Sequence, residues 1–214
     1  MLQRRGRPLD RVEAERLLAR VVDLYGALES ADLTVGGTRA NLAATCDLVE
    51  RIRTQPSSAL QASFLRSSLL RRLGRTSEAI DEARRAFTDT PSWISATALA
   101  ASYRDHGEPD LAMEYYRHAA ALDRSDESVW VDMGDVLCSQ GRWREAVQAY
   151  EEALARKPGH VPARVGATYA RFRAGDDEAG RTLERLVRQD GEVGLLARRR
   201  LAAETYAQEL RRDS

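Results

Sequence analysis

Residues 127–160 read ESVWVDMGDVLCSQGRWREAVQAYEEALARKPGH. Trp130, Met133 and Leu137 recur at helical spacing before Gly141, and Ala146, Tyr150 and Ala153 recur after it. Two amphipathic helices joined at the glycine fit this pattern, and neither half has the period-two alternation of a strand. The glycine stops the first helix, because a left-handed residue there satisfies the last carbonyls without a side-chain clash. Glu145 then falls in the first turn of the second helix, where the helix dipole favours an acid, and Pro158 ends that helix. Gly134 on the first helix and Ala146 on the second let the two axes approach closely.

The same punctuation runs outward from this stretch. Gly74, Gly107, Gly141 and Gly175 are spaced 33, 34 and 34 residues apart. Ala79, Ala112 and Ala146 follow five residues after the first three, and Ala179 follows four residues after the last. Acidic residues after each glycine (Glu78, Glu108 and Asp110, Glu145, then Asp176, Asp177 and Glu178) mark second-helix starts, and Pro91 closes a second helix as Pro158 does. The repeat predicts an all-α fold built from helix pairs.

Residues 127–160 resemble a tetratricopeptide repeat (TPR): Trp130, Met133, Gly134, Leu137, Gly141, Ala146, Tyr150, Ala153 and Pro158 follow the family pattern W-x2-L-G-x2-Y, then G, A, F, A and P. Residues 93–126 match through Leu99, Ala100, Tyr103, Gly107, Ala112, Tyr116 and Ala119, with Ala96 in place of the tryptophan and Arg124 in place of the proline. Residues 60–92 keep Gly74, Ala79, Ala86 and Pro91, but Arg66 and Ser67 take the L-G places. Residues 161–190 keep Gly175, Ala179, Leu183 and Leu186 with one residue deleted. The resemblance implies a right-handed superhelix of antiparallel helix pairs with one concave side.

Outside this array of residues 58–190, the ends do not repeat. Residues 1–57 hold a helical pattern over 10–29, a break at Val35, Gly36 and Gly37, and a second helix over about 39–54, read as a cap or a degenerate repeat. Residues 191–214 read as a capping helix over about 193–211. Its face of Val193, Leu196, Ala197 and Leu201 is expected to cover the last repeat. The other face, with Leu195, Ala202, Tyr206 and Leu210, is either a homodimer contact or a surface.

The chain has 214 residues with 33 basic and 33 acidic side chains and no net charge, 43% of it hydrophobic. That composition excludes disorder, and the charge balance argues against a default nucleic-acid or membrane binder. Lys157 is the only lysine. No apolar run reaches the roughly 18 residues of a membrane span, and Met1 to Leu9 lacks a signal-peptide pattern. Cys46 and Cys138 stand far apart, which excludes a disulfide framework and reads as reduced thiols in a cytoplasmic protein. No nucleophile elbow, phosphate loop or zinc helix is present, and His106, His118 and His160 lack metal-ligand spacing. The expected protein is therefore not an enzyme and carries no cofactor or metal.

The resemblance places a partner-binding groove on the first helices, lined among others by Phe64, Arg71, Arg72, Arg104, Val131, Asp135, Tyr169, Phe172 and Arg173. The arginines offer guanidinium forks and the apolar residues offer anchors, which suits a protein or peptide segment with acidic and aromatic or aliphatic residues. The alternative is that these arginines pair with Asp105, Asp135 or neighbouring acids. The Lys/Asn pattern with which some TPR domains clamp a chaperone's terminal carboxylate is missing. A scaffold or adaptor is the expected function. Two rivals stand beside it: a regulator contacting nucleic acid or phosphate through arginines, Arg198–Arg200 included, and a structural subunit that dimerises through its last helix.

Overall fold

Backbone conformation at the four repeat glycines follows from their spacing. In the computed structural model, which describes residues 9–29, 36–53 and 58–212, Gly74, Gly107, Gly141 and Gly175 have φ between 73° and 98°. At Gly141 the glycine N–H bonds to Cys138 O at 3.0 Å and Arg142 N–H bonds to Leu137 O at 2.9 Å, closing the helix end. The same two bonds recur at the other three glycines, so each first helix is terminated alike.

Eleven helices occur among the described residues. They are α1 (Arg11–Glu29), α2 (Gly36–Ile52), α3 (Ala59–Arg72), α4 (Thr76–Asp89), α5 (Trp93–His106), α6 (Pro109–Leu122), α7 (Glu127–Ser139), α8 (Trp143–Arg156), α9 (Val161–Arg173), α10 (Asp177–Val187) and α11 (Gly191–Arg212). The fold is all-α, made of TPR-type antiparallel helix pairs. One expected boundary moves: α2 starts at Gly36, so the glycine pair opens the helix instead of preceding it. The first turn has unpaired N–H groups in any case, and glycine costs little at a helix start. The basic stretch before Leu9 lies outside the described residues. The chain divides into two compact units, Met1–Ala119 and Ala120–Ser214, each with its own packing.

In the first unit, α1, α2 and α3 bury Val21, Leu42, Val49, Ile52, Leu69 and Leu70 together. The departure of this repeat from the family pattern has a physical cause. Glu82 of α4 is 1% exposed, and its carboxylate accepts from Ser63 Oγ at 2.7 Å and Arg66 Nη1 at 2.5 Å, with Arg85 Nη2 at 3.0 Å. Arg66 Nε also lies 3.0 Å from Glu50, which pairs with Arg53. Arg66 therefore occupies an apolar place in the pattern because α4 brings a buried acid to it. The Arg53 hydrogen bond holds the Glu50 carboxyl below the usual carboxylate range, against the effect of its partial burial. Further along, the Tyr103 and Tyr115 rings stack at 5.6 Å, and Phe87 meets Tyr115 edge-on at 5.6 Å.

In the second unit the close approach is made by glycine. The fully buried Tyr150 of α8 lies between Gly134 of α7 and Gly166 of α9, and a Cβ added at either glycine would sit 2.6 Å from the ring. At the end of α8, Lys157 Nζ pairs with Glu127 at 2.8 Å. The α10 N-terminus is capped by Asp176, which accepts from Glu178 and Ala179 N–H at 2.9 and 3.0 Å. On α11, Ala197 is fully buried, Val193, Leu196 and Leu201 are half-buried or buried less completely, and Leu195 and Ala202 are exposed. Tyr206 and Leu210, named for the second face of this helix, lie outside the described side chains.

Gly166→Ala is expected to destabilise the chain by about 1–3 kcal/mol through overpacking against a ring that has no room to shift. Gly159→Ala, whose added Cβ meets nothing within 4 Å, is expected to leave the urea midpoint nearly unchanged. Arg66→Leu alone is expected to cost about 3 kcal/mol by leaving the Glu82 carboxylate short of a partner. Arg66→Leu/Glu82→Ala is expected to recover more than half of that loss in the same urea titration, and equal losses in the single and double variants would contradict the pairing.

Candidate functional site

The first-helix positions expected to line a groove fall into two sets, one in each unit. In the first unit, Arg71 and Arg72 end α3, and Arg104 and Asp105 end α5. Cations suit these last turns, where the helix dipole is negative. Arg71 Nη1 reaches Asp105 Oδ2 at 2.8 Å, and Arg104 Nε reaches Asp105 Oδ1 at 2.9 Å. One carboxylate thus draws together guanidinium groups from two successive first helices. Arg71 also donates to Ser68 Oγ at 2.9 Å, and Arg104 to Tyr116 Oη at 3.2 Å, which fixes both forks. Among the described residues the buried Nη1 of Arg72 has no hydrogen-bond partner. Phe64 packs against the α1–α3 core and is half-buried.

In the second unit the expected residues separate. Asp135 Oδ1 accepts from the Tyr150 hydroxyl at 2.5 Å and forms an ion pair with Arg200 of α11. Val131 and Tyr169 are buried. Arg173 lies 4.4 Å over the Trp143 ring and donates to Tyr169 Oη at 3.2 Å, so it faces a cleft of about 350 Å³ beside the α7–α8 turn. Arg142, Trp143, Arg144 and Glu145 line the same cleft. Phe172 is 41% exposed, with its ring over Gly180 of α10.

Burial, and after it the Asp135 carboxylate, push the Tyr150 hydroxyl far above the ordinary phenol range, so it stays neutral and donates to Asp135. Burial likewise pushes the Cys138 and Cys46 thiols up, which disfavours thiolate chemistry at both. Each histidine has a local partner or contact: His106 Nδ1 lies 2.9 Å from Thr76 Oγ1, His160 Nδ1 accepts from Ala163 N–H, and His118 packs beside Tyr115. Among the described residues no group of three His, Cys, Asp or Glu side chains is placed to hold a metal, and no helix is long and apolar enough to cross a membrane.

Sequence reasoning did not find the role of Arg200, which it counted only within the Arg198–Arg200 cluster. No repeat spacing links α11 to α7, so no pattern in the sequence signals the contact. Arg198 is engaged too, donating to Val187 O at 2.6 Å at the end of α10. Two of the three clustered arginines are therefore committed within the chain, while Arg199 is exposed.

Residues 64–127 and 139–199 each match the tetratricopeptide repeat family, and together they make up more than half of the chain. The CTR9 homolog protein of Arabidopsis thaliana is 34% identical over 64 residues, and the chain spans 6% of that protein's length. Three solved structures share the fold at low identity. TTC0263, a thermophilic TPR protein of Thermus thermophilus, is 18% identical with a TM-score of 0.68, covering 89% of this chain and 97% of its own. YrrB, described as a TPR protein with an unusual peptide-binding site, is 17% identical with a TM-score of 0.55, covering 86% and 97%. MamA is 18% identical with a TM-score of 0.56, covering 81% and 91%. The repeated glycine reversals, the small residues at helix crossings and these family matches lead to one conclusion: the chain belongs to the tetratricopeptide repeat family.

Proposed function

We propose that the chain is a non-catalytic scaffold that binds a protein or peptide segment, with an acidic residue of the partner received by Arg71 and Arg104. The observation that carries this reading is the convergence of these two guanidinium groups, from α3 and α5, on the two oxygens of Asp105. Forks aimed at one carboxylate are already oriented for a second, and charge-assisted bonds of this kind are strong and directional. Arg72, one residue from Arg71, adds positive charge to the same helix end. The peptide-binding site named for YrrB supports the partner class. In this reading residues 1–57 and 191–214 cap an array of four repeats. Free, buried Cys46 and Cys138 suit a cytoplasmic setting.

A peptide library selected on the full chain is expected to enrich segments carrying Asp or Glu beside an aromatic or aliphatic residue. Arg104→Glu is expected to keep the helical circular dichroism and to weaken the selected peptide by about tenfold or more. Unchanged affinity in that variant would remove the arginines from the reading. Binding of nucleic acid that collapses between about 50 and 200 mM salt, with no peptide enriched, would favour the phosphate-contacting alternative instead.

A further inference from the structure

The second unit contains a charged contact that the acid-binding reading leaves unused. Arg200 of α11 pairs directly with Asp135 of α7, 65 positions earlier in the chain. Asp135 Oδ1 also accepts from the Tyr150 hydroxyl at 2.5 Å, and the Arg200 guanidinium carbon lies 5.6 Å from the centroid of the Tyr150 ring. That ring is wedged between Gly134 and Gly166, and Cys138 Sγ lies 3.6 Å from its hydroxyl. An acid oriented by a fixed phenol, beside an aromatic ring, has the features that recognise a flat, delocalised cation. A compact ammonium matches the charge but not the planar shape.

Receptor and occupant differ in how they are held. Tyr150 is fully buried, while the side chains of Asp135 and Arg200 are 36% and 23% exposed, so solvent reaches the ion pair. Next to Arg200 on α11, Arg199 and Ala202 are exposed, and among the described side chains of this helix Ala197 is fully buried. The pair is only part-buried, and a second guanidinium can take over the contacts that Arg200 makes with the Asp135 carboxylate and the Tyr150 ring.

We propose that Asp135 and Tyr150 form a guanidinium-binding site for an arginine side chain of a partner segment, with the chain's own Arg200 as its resident, displaceable occupant. The site concerns a basic partner residue and different helices from the acid-receiving arginines of α3 and α5, so either proposal can fail without the other. While Arg200 is seated, the apparent affinity for an outside arginine is reduced in proportion to the open fraction.

The test is a calorimetric titration of acetyl-Gly-Arg-Gly-amide into the full chain and three variants, at fixed low salt. Arg200→Gln is expected to bind the peptide at least about tenfold more tightly than the unaltered chain. Arg200→Lys is expected to fall between the two, and Arg200→Gln/Asp135→Asn to lose the gain. The corresponding lysine peptide is expected to bind Arg200→Gln more weakly than the arginine peptide does. No gain in Arg200→Gln, or a gain that survives Asp135→Asn, overturns the proposal. If Arg200→Gln does not fold, Arg200→Lys carries the comparison, and equal affinity of that variant and the unaltered chain overturns it.

Discussion

The reversal at each left-handed glycine is the constraint on which the other contacts depend. A first helix that ended one residue later would rotate the start of its partner by about 100° and carry the buried face of the second helix away from the first. Because Gly74, Gly107, Gly141 and Gly175 close their helices with the same two backbone bonds, each second helix starts in the same register. Ala79, Ala112 and Ala146 then come to the crossing as small, buried residues, and Gly180, five residues after Gly175, takes the corresponding place with the Phe172 ring against it. In the second unit the same economy of volume appears as a tyrosine ring seated between two glycines.

What was legible in the sequence follows from this constraint, and what was not follows from its absence. Glycine spacing, acids at second-helix starts and prolines after helix ends are local signals, so they located α3 to α10 closely. The departure at Arg66 was legible as a departure, but its cause was not. Glu82 lies 16 residues away on the next helix, and nothing in its own neighbourhood marks it as buried. Asp135 could be placed on a first-helix face by its repeat position. Its partner could not, because α11 shares no spacing with α7. Phe172 shows the opposite case: its repeat position suggested a groove, yet the absence of a side chain at Gly180 gives its ring a place against α10.

A net charge of zero conceals local order in the charges. On α3 and α5, Arg71, Arg72 and Arg104 lie in the C-terminal turns, where the dipole favours them and where Asp105 joins Arg71 and Arg104. On α7 the acid lies mid-helix and draws a cation from a distant element. The buried Glu82 is surrounded by three arginines, Arg53 just past α2, Arg66 of α3 and Arg85 of α4. Arginine suits all three settings, since its planar fork reaches several acceptors at once where a lysine would present a single point charge.

The pairing of Lys157 with Glu127 has a practical side. With every other basic side chain an arginine or a histidine, Lys157 carries the lone primary amine on any side chain of this sequence. Reagents that acylate amines have one side-chain target, at the bend after α8. Beside the α-amine, a fluorophore or a bead linkage introduced by such a reagent sits at one known side chain, without any engineered cysteine.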